Sequence, residues 1–151
     1  MGVLLLGTAC PGVPRPLEAP QVELRDVSLA EDPNRSLLFS WNVTNPNSRT
    51  VSVRAVDWEV SVGGKARARG RVSLEALVGP RASLELVAKA PLGPGLWEGL
   101  LAEASRGSAR AHGIVHFFST AGDRGSMFEW VGELAQGSNS KRRLSPAPSE
   151  E

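Results

Sequence analysis

Cysteine is nearly missing from this chain, with one in 151 residues, at position 10. That excludes an intrachain disulfide framework and a zinc site built from several thiolates. Histidine is also scarce. His112 and His116 are the only two, too few for most His-rich metal sites. Charge of one sign is missing as well: 17 Lys and Arg stand against 16 Asp and Glu, a net +1. A nucleic-acid binder held by bulk charge is usually clearly basic, so no nucleic-acid partner is expected. No apolar run reaches the roughly 18 to 20 residues that span a bilayer as a helix. Tyrosine is absent, and Arg outnumbers Lys 14 to 3, a trace of GC-rich codon usage. What is present points to a folded chain. Apolar residues make up 41%, enough to bury a core. The 16 Gly and 11 Pro argue against long helices.

The two ends differ from the middle. Residues 1–10, Met-Gly-Val-Leu-Leu-Leu-Gly-Thr-Ala-Cys, are apolar and end in small residues before Cys10. This resembles the end of a bacterial lipoprotein signal, which makes Cys10 a lipidation candidate and the membrane a partner through that anchor. The match departs from the pattern at Gly7, in the short apolar run and in the lack of a basic start. A start upstream of Met1 would account for this. Residues 11–20 hold four prolines in ten and read as an extended linker. A lipid-anchored domain on the periplasmic face of the cell envelope follows, with a cytoplasmic protein as the alternative. Residues 137–151 are polar and low in complexity and read as a disordered tail. Its Lys141-Arg142-Arg143 run reads as solvated.

Between these lies the domain, residues 21–136. Val22 to Leu29 alternates, with a parity change between Leu24 and Val27 that implies a bulge. Ser36 to Asn45 alternates over four pairs, with Leu37, Phe39, Trp41 and Val43 on one face, and reads as a central strand. Asn45-Pro46-Asn47-Ser48 ends it. Val51 to Val62 is a second strand whose parity shifts near Ala55-Val56. Gly63-Gly64 and a returning strand follow. A three-residue loop, Gly63-Gly64-Lys65, would pair Val62 with Ala66, Val60 with Ala68 and Trp58 with Gly70. It sets Ser61 by Arg67, Glu59 by Arg69 and Asp57 by Arg71. One face is then apolar and the other carries opposite charges, whereas a two-residue Gly-Gly loop, pairing Val62 with Lys65 and Val60 with Arg67, mixes them, so the three-residue register is expected. Ser83 to Ala90 and Ala109 to Ser119 alternate too. Leu96 to Ser105 has Leu96, Leu100, Leu101 and Ala104 at helical spacing. Ser126-Met-Phe-Glu129 resembles a capping box ahead of Met127, Trp130, Val131 and Leu134, so a C-terminal helix closed by Gly137 is predicted, with an edge strand as the alternative. The fold class is mostly β: an immunoglobulin- or fibronectin III-like sandwich of about seven strands, with one or two short helices towards the C-terminus.

The strand entering Asn45-Pro46-Asn47, the next strand, and a hairpin carrying Gly64 and Gly70 together resemble the late embryogenesis abundant type 2 family. Its domain is also called the water stress and hypersensitive response domain. The resemblance runs loosely from Gln21 to Ser119, roughly two thirds of the chain, and lapses after Ser119. It implies a β-sandwich and a non-enzymatic role in desiccation, osmotic or other stress, with no catalytic residues and no cofactor. Asn45, Pro46 and Asn47 are read as turn-forming, and Trp58 as filling the space over Gly70.

The residues themselves offer no catalytic constellation. Cys10 lies in the tether, far in sequence from both histidines, so a nucleophile with a positioned base is not evident. His112 and His116 fall on the polar face of one strand, opposite Ala111, Val115 and Phe117, without a third metal ligand nearby. No Gly-rich segment has the strand–loop–helix setting of a phosphate loop. The chain reads as no enzyme, with neither metal nor cofactor. Two functions remain: a tethered stress-protection or binding domain with a protein or membrane-surface client, or an adaptor binding an envelope protein through a sheet edge or the Met127/Phe128/Trp130 segment.

Overall fold

The computed structural model describes residues 16–30 and 35–137. Eight strands and one helix follow in order: β1 (Gln21–Ala30), β2 (Ser36–Thr44), β3 (Val51–Val62), β4 (Lys65–Val78), β5 (Ser83–Pro91), α1 (Pro94–Ala104), β6 (Ala109–Ser119), β7 (Gly122–Gly132) and β8 (Ala135–Gly137). They form two four-stranded sheets, ordered β5-β2-β1-β8 and β4-β3-β6-β7. Neighbours are antiparallel except β8, which adds three residues parallel to β1. The chain is a mostly β sandwich.

Alternation builds the core. Leu37, Phe39, Trp41 and Val43 of β2 are buried against Val51, Val53, Val56, Trp58 and Val60 of β3. Aromatic rings join the sheets. Phe39 stacks on Trp41 at 5.3 Å, lies 5.4 Å from Trp58, and Trp41 meets Phe128 of β7 edge-on at 5.8 Å. Such contacts add about 0.5–1.5 kcal/mol beyond area burial. The two parity changes are real bulges, between Leu24 and Asp26 of β1 and around Arg54 of β3. Each re-aims the strand so that both halves send apolar residues inward.

The β3–β4 hairpin differs from the three-residue loop near its tip. Val62 pairs with Lys65 and Ser61 with Ala66 across a two-residue turn. Gly63 and Gly64 have φ of +63° and +77°, as a type I′ turn requires and as its twist favours. The register then shifts beyond Ser61, leaving Arg67 as an extra residue, and Val60–Ala68, Glu59–Arg69, Trp58–Gly70 and Asp57–Arg71 pair as expected. The turn and the bulge together reproduce the inward–outward pattern of a longer loop.

Helix α1 carries the chain from β5 in one sheet to β6 in the other. Pro94 starts it, a position where its missing N–H costs nothing. Trp97 and Leu100 are its buried residues, while Leu96 is exposed. The C-terminal helix is not formed. Residues 122–132 are strand β7, the edge-strand alternative. The same residues fit both periods, but Ser126 and Phe128 are buried and Met127 is 82% exposed, the alternation of a strand. Ser126 caps nothing; its hydroxyl donates to the Pro20 carbonyl.

Residues 16–20, the described part of the Pro-rich linker, lie against the sandwich. Leu17 is buried, and its carbonyl accepts from Arg124 Nε at 2.9 Å. Cys10, the rest of the linker and residues 138–151 of the tail, the 141–143 basic run included, fall outside the described residues. No helix among the described residues is long and apolar enough to cross a membrane.

Candidate interaction face

The Asn-Pro-Asn segment is a joint, built where β2 leaves one sheet and β3 begins the other. Asn45 is fully buried. Its amide nitrogen lies 2.7, 3.1 and 3.0 Å from the carbonyl oxygens of Arg49, Val78 and Gly79. Its Oδ1 accepts from the backbone N–H and side-chain amide of Asn47, both at 3.0 Å. Asn47 in turn holds the backbone of Glu18, accepting from its N–H and donating to its carbonyl, each at 2.8 Å. One tripeptide thus ties the β2–β3 link, the β4–β5 turn and the N-terminal segment. Both polar atoms of the Asn45 side chain are used, as burial demands. Gly70 sits beneath Trp58: a Cβ there would lie 3.0 Å from Cζ2 of the indole. These family-like residues have structural positions.

The outward face of β4-β3-β6-β7 holds the chemistry. Because β3 is an inner strand, its outward carboxylates have neighbours on both sides. Asp57 lies 3.7 Å from Arg71 Nε on β4 and accepts from His116 Nε2 of β6 at 2.7 Å. Glu59 pairs in register with both Arg69 and His112, and its Oε1 lies 3.9 Å from His112 Nε2. Arg110 pairs with Glu129 of β7. Arg67, at the bulge, reaches Glu103 of α1 at 3.6 Å. These groups are largely exposed, so each pair contributes under about 1 kcal/mol. The histidines are on one outward face, as their parity implied. The sequence linked these carboxylates to arginine alone, since the β3–β6 pairing that brings in histidine is not a local feature. Among the described residues no group of three or more His, Cys, Asp or Glu is placed to hold a metal.

The β6–β7 half of this face sets exposed apolar side chains among charged ones, the Arg110–Glu129 pair included. Ile114 and Met127 pair across the ladder, and Val131 lies further along β7, 64% exposed. They line a shallow groove of about 1080 Å³ together with Gly63, Gly64, His112 and Glu129. Of the segment Met127/Phe128/Trp130, Phe128 is buried and Trp130 is half-buried against the core, so Met127 is its exposed apolar contact. Gly113 was not singled out from the sequence. A Cβ there would stand 1.9 Å from the Asp57 carbonyl oxygen and 2.8 Å from Phe128. A lone Gly inside a strand marks such close approach.

No family model and no curated protein matches the sequence. The fold does have solved counterparts. A protein from Arabidopsis thaliana is similar with TM-score 0.59 and 13% identity, over 82% of this chain and 87% of that one. A candidate late embryogenesis abundant protein gives 0.56 and 12%, over 77% and 70%. A protein from Archaeoglobus fulgidus gives 0.53 and 15%, over 81% and 98%. At these identities the likeness is one of fold. The counterparts include the late embryogenesis abundant candidate, in agreement with the β-sandwich that the resemblance at residues 45–47, 64 and 70 implies.

Proposed function

We propose that this chain is a non-enzymatic, stress-associated domain that makes weak protective contacts with non-native proteins or membrane surfaces, held at the cell envelope through Cys10. The observation that carries the reading is that Ile114, Met127 and Val131 are exposed along the outward side of β6 and β7, interspersed with the Arg110–Glu129 ion pair. Exposed large apolar groups gathered on one sheet face suit an interaction surface. Fully covering one such side chain contributes about 1.5–3 kcal/mol, so contact through two or three is reversible and unselective, as protection of many clients needs. The late embryogenesis abundant candidate among the fold's counterparts supports the stress assignment, as does the Asn-Pro-Asn resemblance.

The test is freeze–thaw of a labile enzyme with and without the domain. Wild type should preserve activity, and a Met127→Ser/Val131→Ser variant should preserve much less. Equal protection by both would remove the apolar cluster from the account. The second reading is an adaptor for an envelope protein. The observation favouring it is that β7 is an edge strand with Met127 and Val131 pointing outward, a site for strand addition.

A further inference from the structure

We infer that the opposite end of the same face is a binding site for a phosphate group. A cleft of about 500 Å³ is lined there by Arg54, Arg71, His116, Phe118, Asp123 and Arg124. Four strands supply these residues: β3, β4, β6 and β7. The bulge on β3 delivers Arg54. That residue has no cross-strand partner on either side, because both ladders skip it between Val53 and Ala55. Bulges re-aim side chains, and they are frequent beside functional sites. Arg54 points outward, with its guanidinium 4.8 Å above the Phe118 ring, a contact that holds the cation without neutralising it. Arg124 spends its Nε on the Leu17 carbonyl, which leaves its two terminal nitrogens as donors. Arg71 Nε lies 3.7 Å from Asp57 Oδ1, a loose contact, while His116 engages Oδ2 at 2.7 Å. Gly125, opposite His116 in the ladder, lays no side chain across the cleft.

Three guanidiniums therefore share two carboxylates, Asp57 and Asp123, and these five groups leave the cleft one net positive charge. Guanidinium forks match the several oxygens of a phosphate better than the two of a carboxylate once more than one fork is available. Phe118 adds an apolar wall, suited to the organic part of a phosphate ester. The phosphate could belong to a soluble ester or to a phospholipid headgroup, and the experiment separates these sources.

The probe is inorganic phosphate, titrated into the full chain at low ionic strength, about 20 mM, where charge contacts are least screened. The readout is the His116 imidazole and arginine Nε–H resonances. Saturable shifts at His116, Arg54 and Arg71 are expected. Arg54→Gln and Arg71→Gln should each weaken binding about tenfold. Arg54→Lys, which keeps charge without the fork, should fall between. Arg69→Gln, outside the cleft, should stay within about twofold. All three positions are exposed, and an unchanged far-ultraviolet spectrum verifies folding. Shifts without saturation, or equal weakening by Arg69→Gln, would overturn the site in favour of diffuse charge. In a second arm, phosphatidic acid vesicles that bind the wild type and are displaced by inorganic phosphate assign the headgroup. Vesicles that fail to bind while phosphate does assign a soluble ester. Vesicle binding unaffected by Arg54→Gln overturns the cleft as the membrane contact.

Discussion

Asn45→Ala should cost about 3–4 kcal/mol of folding stability. The side chain is fully buried, and its amide nitrogen faces three carbonyls at 2.7–3.1 Å. Truncation leaves the buried Val78 carbonyl without its donor, a loss of about 1–3 kcal/mol. The Arg49 and Gly79 bonds are part-buried, where water can substitute, and contribute about 0.5–1.5 kcal/mol each. Asn47 also loses the Oδ1 that accepts its backbone N–H. Taken near the middle of each range, with allowance for water entering, the sum is about 3–4 kcal/mol. That is a large share of the roughly 5–15 kcal/mol that holds a domain folded. Urea unfolding followed by tryptophan fluorescence measures it, since Trp41 and Trp58 sit in the core. Asn45→Asp separates hydrogen bonding from packing. It has nearly the same volume, but it turns a donor into an acceptor facing carbonyls, and should cost at least as much. Asn47→Ala, whose outward contacts are to the exposed Glu18 backbone, should cost only about 1 kcal/mol. A loss below about 1 kcal/mol for Asn45→Ala, or wild-type stability for Asn45→Asp, would refute the joint.

Gly113→Ala should destabilise by about 3 kcal/mol or more, because the new Cβ meets the β3 backbone itself at 1.9 Å; Gly70→Ala, which meets only the indole edge at 3.0 Å, should cost about 1 kcal/mol. Denaturation midpoints of the two variants give the order. Asp57→Asn should change stability by less than about 1 kcal/mol, since its partners are exposed, yet tighten phosphate binding by releasing Arg71; titration reads both. Cys10→Ser should move the protein from the membrane fraction to the soluble fraction, and intact mass of the wild type should show the added lipid.

Much of the fold was legible because its strands are half-buried and alternate. The parity breaks at Leu24–Val27 and Ala55–Val56 located both bulges, since only an extra residue keeps each half of such a strand facing inward. The hairpin shows the limit of parity. A two-residue turn with a bulge at Arg67 and a three-residue loop leave the same pattern beyond Ser61, and turn twist decides between them. At the C-terminus, Met127, Trp130, Val131 and Leu134 satisfy helical spacing while Ser126, Phe128 and Trp130 satisfy a strand. Pairing with β6 decided the matter, through contacts distant in sequence. The phosphate cleft was illegible for the same reason. The arginine stripe read as neutralised, because Asp57 was assigned to Arg71 alone; the β3–β6 ladder gives it to His116 as well, and the Arg54 bulge adds a cation.

The most direct test of the protective role is survival of a deletion strain after drying. Complementation with the wild-type chain should restore survival, and complementation with the Met127→Ser/Val131→Ser chain at equal abundance should not. Full survival of the deletion strain, or equal rescue by both chains, would contradict it.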